Sequence, residues 1–414
     1  MYRQCSWLRK RSRTLCYTGM IVQCVCSERK GKDTDMKYYK GMDISTLLEV
    51  EKCGGRFYDG KGPEDVLDIL KRYDVNAVRI RLWNDPYSEE GEPYGAGTND
   101  FASVVSLSKR AREKGFDILL DYHYSDFWAD PGKQFIPKAW RGYSVEELEQ
   151  AVYDYTKDTL LNLKELGLLP DMVQVGNELS NGLLWPYGKV PNYETIARFV
   201  NAGIRAVKEV SRKALKDGSI KERILIMIHL DNGGNNALYR EWFDNFVKRG
   251  EDFDIIGLSY YPFWHGTFDM LQNNMMDIAG RFGKELIIAE VSMGYTMEDY
   301  ASYEKLKSSQ RKGMATRQEL VDKIEYPMTK EGQKAFMEEL FKRLEEIPDK
   351  KARGYFYWEP AWIPVPGSGW ATESSLKYME DKGPCGNEWA NQALFDYDGN
   401  ALPALTAVRD YKPQ

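Results

Sequence analysis

Histidine is scarce in this 414-residue chain, with three in all. Cysteine is nearly confined to one end: Cys5, Cys16, Cys24 and Cys26 precede a body that holds only Cys53 and Cys385. No C-x-x-C pair meets a second such pair, which excludes an ordinary structural zinc site. Basic charge is not in excess either, since 57 Lys+Arg stand against 63 Asp+Glu for a net charge of −6. A nucleic-acid partner usually demands a basic face, and a strongly anionic substrate would be repelled, so a neutral ligand fits best. No stretch approaches the roughly 20 continuous apolar residues of a membrane helix. From residue 37 to the end there is no Pro/Gly/Ser-rich linker, low-complexity tract or long charge run to divide the chain. What is abundant is apolar and aromatic: 43% hydrophobic residues, with 11 Trp and 27 Tyr. The first figure is ample for a large core. The aromatic excess suits either an aromatic-rich core or stacking on the C–H faces of sugars.

The first 26 residues run from basic (Arg3, Arg9, Lys10, Arg11, Arg13) to moderately apolar. That is the order of a secretory signal, so export to the cell surface, the periplasm or the outside is expected. Thr18, Gly19 and Gln23 interrupt the apolar stretch, and neither Cys24 nor Cys26 follows the small residue a lipid-attachment site would place there. Residues 27–36 are polar and charged, and read as a linker to a folded body over 37–414.

Within that body short apolar or β-branched runs alternate with amphipathic stretches. The runs span 38–44, 76–83, 116–124, 172–175, 223–230, 253–261, 285–291 and 352–358. Eight strands alternating with helices predict the α/β class and a single (β/α)8 barrel of the TIM type with long βα loops. A doubly wound dinucleotide fold is disfavoured because no G-x-G-x-x-G follows the first strand. Barrel function sits at the carboxyl ends of the strands. This sequence places Asp43 there on strand one, Arg79, Arg81 and Trp83 on strand two, and His123, Asp126 and Trp128 on or just past strand three. Strand four ends in Asn177-Glu178, strand five in His229, Asp231 and Asn232, and strand six in Tyr260, Tyr261, Trp264 and His265. Glu290 ends strand seven, and Trp358, Glu359 and Trp362 follow from strand eight. All three histidines fall in this set.

Glycoside hydrolysis needs one carboxyl to protonate the leaving oxygen and a second at the anomeric carbon. Glu178 and Glu290, on non-adjacent strands, face each other across the predicted mouth. A separation of roughly 5–5.5 Å would mean retention of configuration and roughly 6.5–9.5 Å inversion. An Arg from strand two would keep the nucleophile ionised, and the negative charge of Glu290 would favour the protonated form of Glu178. Taken singly, each of these residues has an ordinary structural reading as a cap, ion-pair partner or packing residue; their joint placement singles out the two glutamates. A metal hydrolase would show H-x-H on strand one or H-E-x-x-H, and neither is present. The loop 292–328 lacks a dense array of oxygen ligands, so neither calcium nor any other cofactor is expected.

Eight segments carry a resemblance: GMDIS (41–45), VRIRLWNDP (78–86), DYHYSDFWADPGKQ (121–134), VGNE (175–178), HLDNG (229–233), SYYPFWHG (259–266), AEVSMGYT (289–296) and YWEPAWIPV (357–365). Over about 38–407 the chain resembles the arabinogalactan endo-β-1,4-galactanases of glycoside hydrolase family 53. The resemblance implies a retaining endo-hydrolase in which Glu178 is like the acid/base and Glu290 like the nucleophile. It also implies a sugar cleft including Asp126, Trp128 and Trp358, and a neutral galactan as substrate. Where many members have a Ser-Tyr-Pro-like run, this chain has Val291-Ser292-Met293-Gly294. The Asp/His/Asn ligands that bind calcium in some bacterial members have no counterpart in it. A related barrel glycosidase acting on another β-linked hexan such as mannan, or a sugar-binding barrel without activity, are the alternatives; the presence of both glutamates speaks against the second. No heptad or apolar stripe asks for a partner, so a monomer is expected. Cys53 and Cys385 follow strands that are neighbours in a closed barrel, and a disulfide between them is one expectation.

Overall fold

Each of the eight apolar runs forms a strand, because β-branched and aliphatic side chains on both faces suit strands buried on both sides. The computed structural model describes residues 37–60, 62–298, 315–383 and 385–413. The signal-like segment 1–26 and the linker 27–36 lie outside the described residues. The barrel strands are β1 (Tyr39–Asp43), β2 (Ala77–Leu82), β3 (Asp117–Tyr122) and β4 (Met172–Val175). They continue as β5 (Leu225–Leu230), β6 (Ile255–Tyr260), β7 (Glu285–Val291) and β8 (Ala352–Tyr357). Each pairs in parallel with the next, and β8 closes on β1.

The crossover helices are α1 (Val66–Arg72), α2 (Phe101–Glu113), α3 (Val145–Glu165) and α4 (Tyr193–Asp217). After them come α5 (Asn236–Phe246), α6 (Phe268–Phe282), α7 (Lys330–Glu345) and α8 (Ala404–Asp410). Their starts are set locally. Ser144 and Glu147 form a capping box at α3, and the side chains of Asn192 and Thr267 accept from backbone N–H groups of α4 and α6. In α4, Ile196, Val200, Val207 and Val210 recur at helical spacing among its buried residues. None of the helices among the described residues is long and apolar enough to cross a membrane.

Period-two alternation splits the buried strand residues into two clusters. Val78, Ile80, Leu120, Val173, Ile228, Leu258 and Ile288 belong to the large cluster shared with the helices. Tyr39, Ala77, Leu119, Met172, Met227, Ile255, Ile287 and Phe356 form a separate cluster that fills the barrel's lower interior. The fit there is close: a Cβ on Gly41 would lie 2.2 Å from the ring of Phe356. A register shift in the β6–β7 pairing sets Leu258 opposite Ile288 but Ser259 opposite Glu290. This bulge skips Ala289 and turns Glu290 inward, the kind of re-aiming bulges provide beside functional sites.

The loops after β2, β3 and β8 share a small core of their own, built from Trp83, Tyr94, Ala96, Phe127 and Ala371. Ala96 donates to the Gly369 carbonyl at 2.9 Å, and the Trp128 indole donates to the Trp370 carbonyl at 3.0 Å. One wall of the barrel mouth is thereby held in place.

Candidate active site

Above the apolar layer the same inward positions become polar. Arg79 and Arg81 stand two and four residues above Ala77, Asp121 two above Leu119, Gln174 two above Met172, and His229 two above Met227. Arg79 is fully buried and its guanidinium ties this layer together. Nη1 lies 2.8 Å from Asp43, and Nη2 lies 2.8 Å from both Asp121 and Glu290. Nη2 also donates to Asn177 Oδ1 at 2.9 Å. Burial disfavours charge on Arg79, but Asp121, Glu290 and Asp43 outweigh it and hold the group firmly protonated. Asp43 is likewise buried, yet Arg81 and Arg79 keep its carboxyl below the usual range.

The two glutamates have different neighbours. Glu290 is ion-paired with Arg79 at 2.8 Å and accepts, at 2.7 Å, from the Tyr261 hydroxyl. Burial raises its pKa while Arg79 and Tyr261 oppose that rise, so Glu290 is the readier of the two to ionise. Glu178 sits in left-handed backbone at φ 49°, just after Gly176 at φ 83°. Burial first, then the charges of Glu290 and Asp231, push its carboxyl well above the ordinary range. Its Oε1 is 2.7 Å from Ser259 Oγ. Non-glycine residues at positive φ also end strands three, five and eight, at Tyr124, Asn232 and Glu359. Such backbone costs on the order of 1–3 kcal/mol per residue and clusters at functional sites.

Both glutamates open on a cleft of about 460 Å³. Of the residues read from the sequence, Arg81, His123, Trp128, Asn177, Asp231, Tyr261, Trp264, His265, Trp358 and Trp362 line it with them. Arg81 lies 4.5 Å from the Trp128 ring centre and pairs with Glu359 at 2.5 Å. His123 accepts from Ala129 N–H at Nδ1, so its Nε2–H donates to Asp121. Burial pushes His265 down to about 4, leaving it neutral.

Seven of the expected substrate contacts stand behind this wall. Asp43, Arg79 and His229 belong to the polar layer beneath it. Tyr260 points to the helix layer, against Phe268 and Phe336, because adjacent strand residues face opposite ways and Tyr261 takes the inside. Trp83 packs edge-on against Phe127 and Trp128 in the loop core. Asp126 accepts from the backbone of Asp85 and Lys138, organising two loops. Asn232 turns the chain, its carbonyl accepting from Asn235 N–H.

Unforeseen residues also enter the site. Asp121, Gln174 and Ser259 follow from extending the inward alternation down β3 and β4 and back from Tyr261 on β6. Asp130 and Lys133 come from the loop after β3, within the segment 121–134 that carries part of the resemblance, and Trp370, Asp381, Glu388 and Trp389 come from the loop after β8, where no local pattern marks them.

The expected disulfide is not formed: Cys53 and Cys385 are both free thiols, half-buried. Burial first, then Glu49 for Cys53 and Glu373 for Cys385, raises both thiols, so little of the reactive thiolate is present. Among the described residues no group of three His, Cys, Asp or Glu is gathered as metal ligands would be; residues 299–314 of the loop after β7 lie outside them.

A closed parallel barrel with two buried carboxyls on one cleft, one beside Arg79 and Tyr261 and the other among like charges, is an arrangement of the kind carboxylate glycosidases use. The family model for glycosyl hydrolase family 53 matches residues 39–408, and the chain belongs to that family. It is 41% identical over 378 residues to a Niallia circulans protein described as an uncharacterized protein in the bgaB 5′ region, covering 89% of this chain and 93% of that one. It is 34% identical over 396 residues to the endo-beta-1,4-galactanase of Bacillus subtilis (strain 168), covering 91% of this chain and 86% of the relative. Among solved structures, the Ignisphaera aggregans GH53 catalytic domain superposes with a TM-score of 0.80 at 38% identity, covering 91% of this chain and 97% of that domain.

Proposed function

We propose that this chain hydrolyses β-1,4-galactosidic bonds within galactan, the main chain of type I arabinogalactan, with retention of configuration, using Glu178 as acid/base and Glu290 as nucleophile. The carrying observation is the contrast between the two carboxyls. Glu290 has the Arg79 cation and the Tyr261 donor that favour an ionised nucleophile. Glu178 has the buried, like-charged setting that keeps a proton on a general acid. In the first step the Glu178 O–H bond breaks and its proton goes to the glycosidic oxygen, which leaves with the electron pair of its bond to C1. A Glu290 oxygen bonds to C1 in its place. In the second step water attacks C1, its proton passes to Glu178, and the bond to Glu290 breaks. Trp128, Trp358 and Trp389 supply faces on which neutral sugar rings stack. The names of the Bacillus relative and of others in the family support galactan as the substrate. A polysaccharide does not cross membranes, so this reading goes with export, as the order of the first 26 residues suggests; a monomer is expected.

The test is digestion of unsubstituted β-1,4-galactan and, in parallel, β-mannan, following product length and anomeric configuration by NMR. Early release of mixed short galacto-oligosaccharides with the β-anomer formed first is expected. Cleavage of mannan alone, or binding of galactan without cleavage, overturns the substrate or the activity, and a first-formed α-anomer overturns retention.

A further inference from the structure

The hydrogen bonds behind Glu178 settle where its proton rests, given the reading of Glu178 as acid/base. The chain of donors starts at Asn177, whose amide nitrogen donates to the Ala129 carbonyl at 2.9 Å. Its Oδ1 is 2.9 Å from Arg79 Nη2, and a guanidinium can only donate, so Oδ1 is an acceptor. His229 Nδ1 lies 2.9 Å from that same oxygen and must therefore carry a hydrogen. Burial, with Arg79 close by, keeps His229 neutral, so its Nε2 is a bare lone pair. Ser259 Oγ is 2.8 Å from Nε2, and its single hydrogen goes there. What remains on Ser259 toward Glu178 Oε1, 2.7 Å away, is acceptor capacity only. That contact is a hydrogen bond when Glu178 donates it.

We infer that Ser259 and His229 are positioning residues that select the protonated form of Glu178, through a one-way relay from Glu178 to Ser259 to His229 to Asn177. Were Ser259 free to donate, it would stabilise the Glu178 carboxylate; the His229 lone pair denies it that orientation. When Glu178 gives its proton to the leaving oxygen, Ser259 turns its hydrogen to the new carboxylate and His229 Nε2 loses its donor. That penalty is relieved when the carboxylate takes a proton from the attacking water, so the relay keeps Glu178 loaded with its proton before the first step and strengthens it as the base in the second. The other groups facing Glu178 are Glu290, Asp231, Asp130, Tyr239 and Tyr261. Those facing His229 are Arg79, His123 and His265. None of them donates to Ser259 Oγ.

The test is the pH profile of kcat/KM on galactan, whose alkaline limb reports the acid in the free enzyme. His229→Leu frees the Ser259 hydrogen for the carboxylate, and the limb is expected to move to lower pH by about one unit. Ser259→Ala removes that donor, and the acidic shift is absent both in this variant and when His229→Leu is added to it. An unmoved limb in His229→Leu, or the same shift with and without Ser259, overturns the relay. Should His229→Leu not fold, 15N NMR of the wild-type imidazoles decides, with three histidines to assign. A neutral His229 with hydrogen on Nδ1 is expected, and hydrogen on Nε2 or an imidazolium overturns the proposal. Failure of wild-type enzyme to cleave galactan would strike the substrate reading and leave the tautomer result standing.

Discussion

The lower and upper halves of the barrel interior are built on the same strands and the same inward positions, yet they do opposite things. Below, Leu119, Met172, Met227, Ile287 and Phe356 interlock around Gly41, and burial of apolar surface is favourable at about 25 cal/mol per Å². Above, Asp43, Arg79, Asp121, Gln174 and Glu290 are buried too, and each charge is tolerable only because its neighbours satisfy it. The difference teaches that stability and chemistry are layered along one axis. The lower half holds the strands in register, and the upper half spends that rigidity on holding charged groups within hydrogen-bonding distance.

The largest expected effect is on turnover. Glu178→Gln should lower kcat on galactan about 10²–10⁴-fold, and Glu290→Gln by at least as much. Glu178→Gln should lose far less on an aryl galactoside whose leaving group needs no proton, a split that stopped-assay kinetics on the two substrates reads directly. Equal losses on both would remove Glu178 as the acid.

Next come two stability changes of similar size and different meaning. Arg79→Met strands Asp43, Asp121 and Glu290 without their shared cation and should cost about 3–5 kcal/mol together with turnover. Phe356→Ala leaves a cavity in the apolar layer and should cost about 3–5 kcal/mol while turnover below the unfolding transition stays near wild type. Denaturant titration with kcat measured on the same preparations checks both. Loss of turnover in folded Phe356→Ala would break the division between the halves.

A smaller effect is expected in pH dependence. Burial first, with Asp43 adding, pushes Glu359 up to about 8 against Arg81 and Thr46. The folded state then holds a proton that the unfolded chain has lost once pH exceeds the ordinary glutamate value, so stability falls as pH rises from about 4.5 to 8 and levels off above. Glu359→Gln should flatten that decline. If wild type and variant show parallel stability curves across this window, Glu359 is ionised in the fold throughout.

The strands were legible because each is a local property: a few apolar residues between polar ones, found where the structure has them. Alternation within a strand placed Arg79 and Arg81 on one face, and it would have placed Asp121 and Ser259 as well. It also explains why Tyr260 faces the helix layer while Tyr261 faces the cleft, since two adjacent tyrosines on one strand point opposite ways. Trp83 and Asp126 sit on a loop core that forms only when three loops meet, so their local surroundings carried no sign of it.

Sequence alone determined the barrel, its polar strand ends and the two glutamates, since these depend on period-two and helical patterns within short segments and on motifs read directly. Tertiary structure decided what those groups do to each other. The bulge that turns Glu290 toward Arg79 depends on register between two strands. The tryptophans after β8 reach the cleft only through loop packing. Asn177, His229 and Ser259 join behind Glu178 only because closure of the sheet brings three strands together. Hydrogen bonding acts over about 3 Å in space, and no pattern along the chain measures distance between strands.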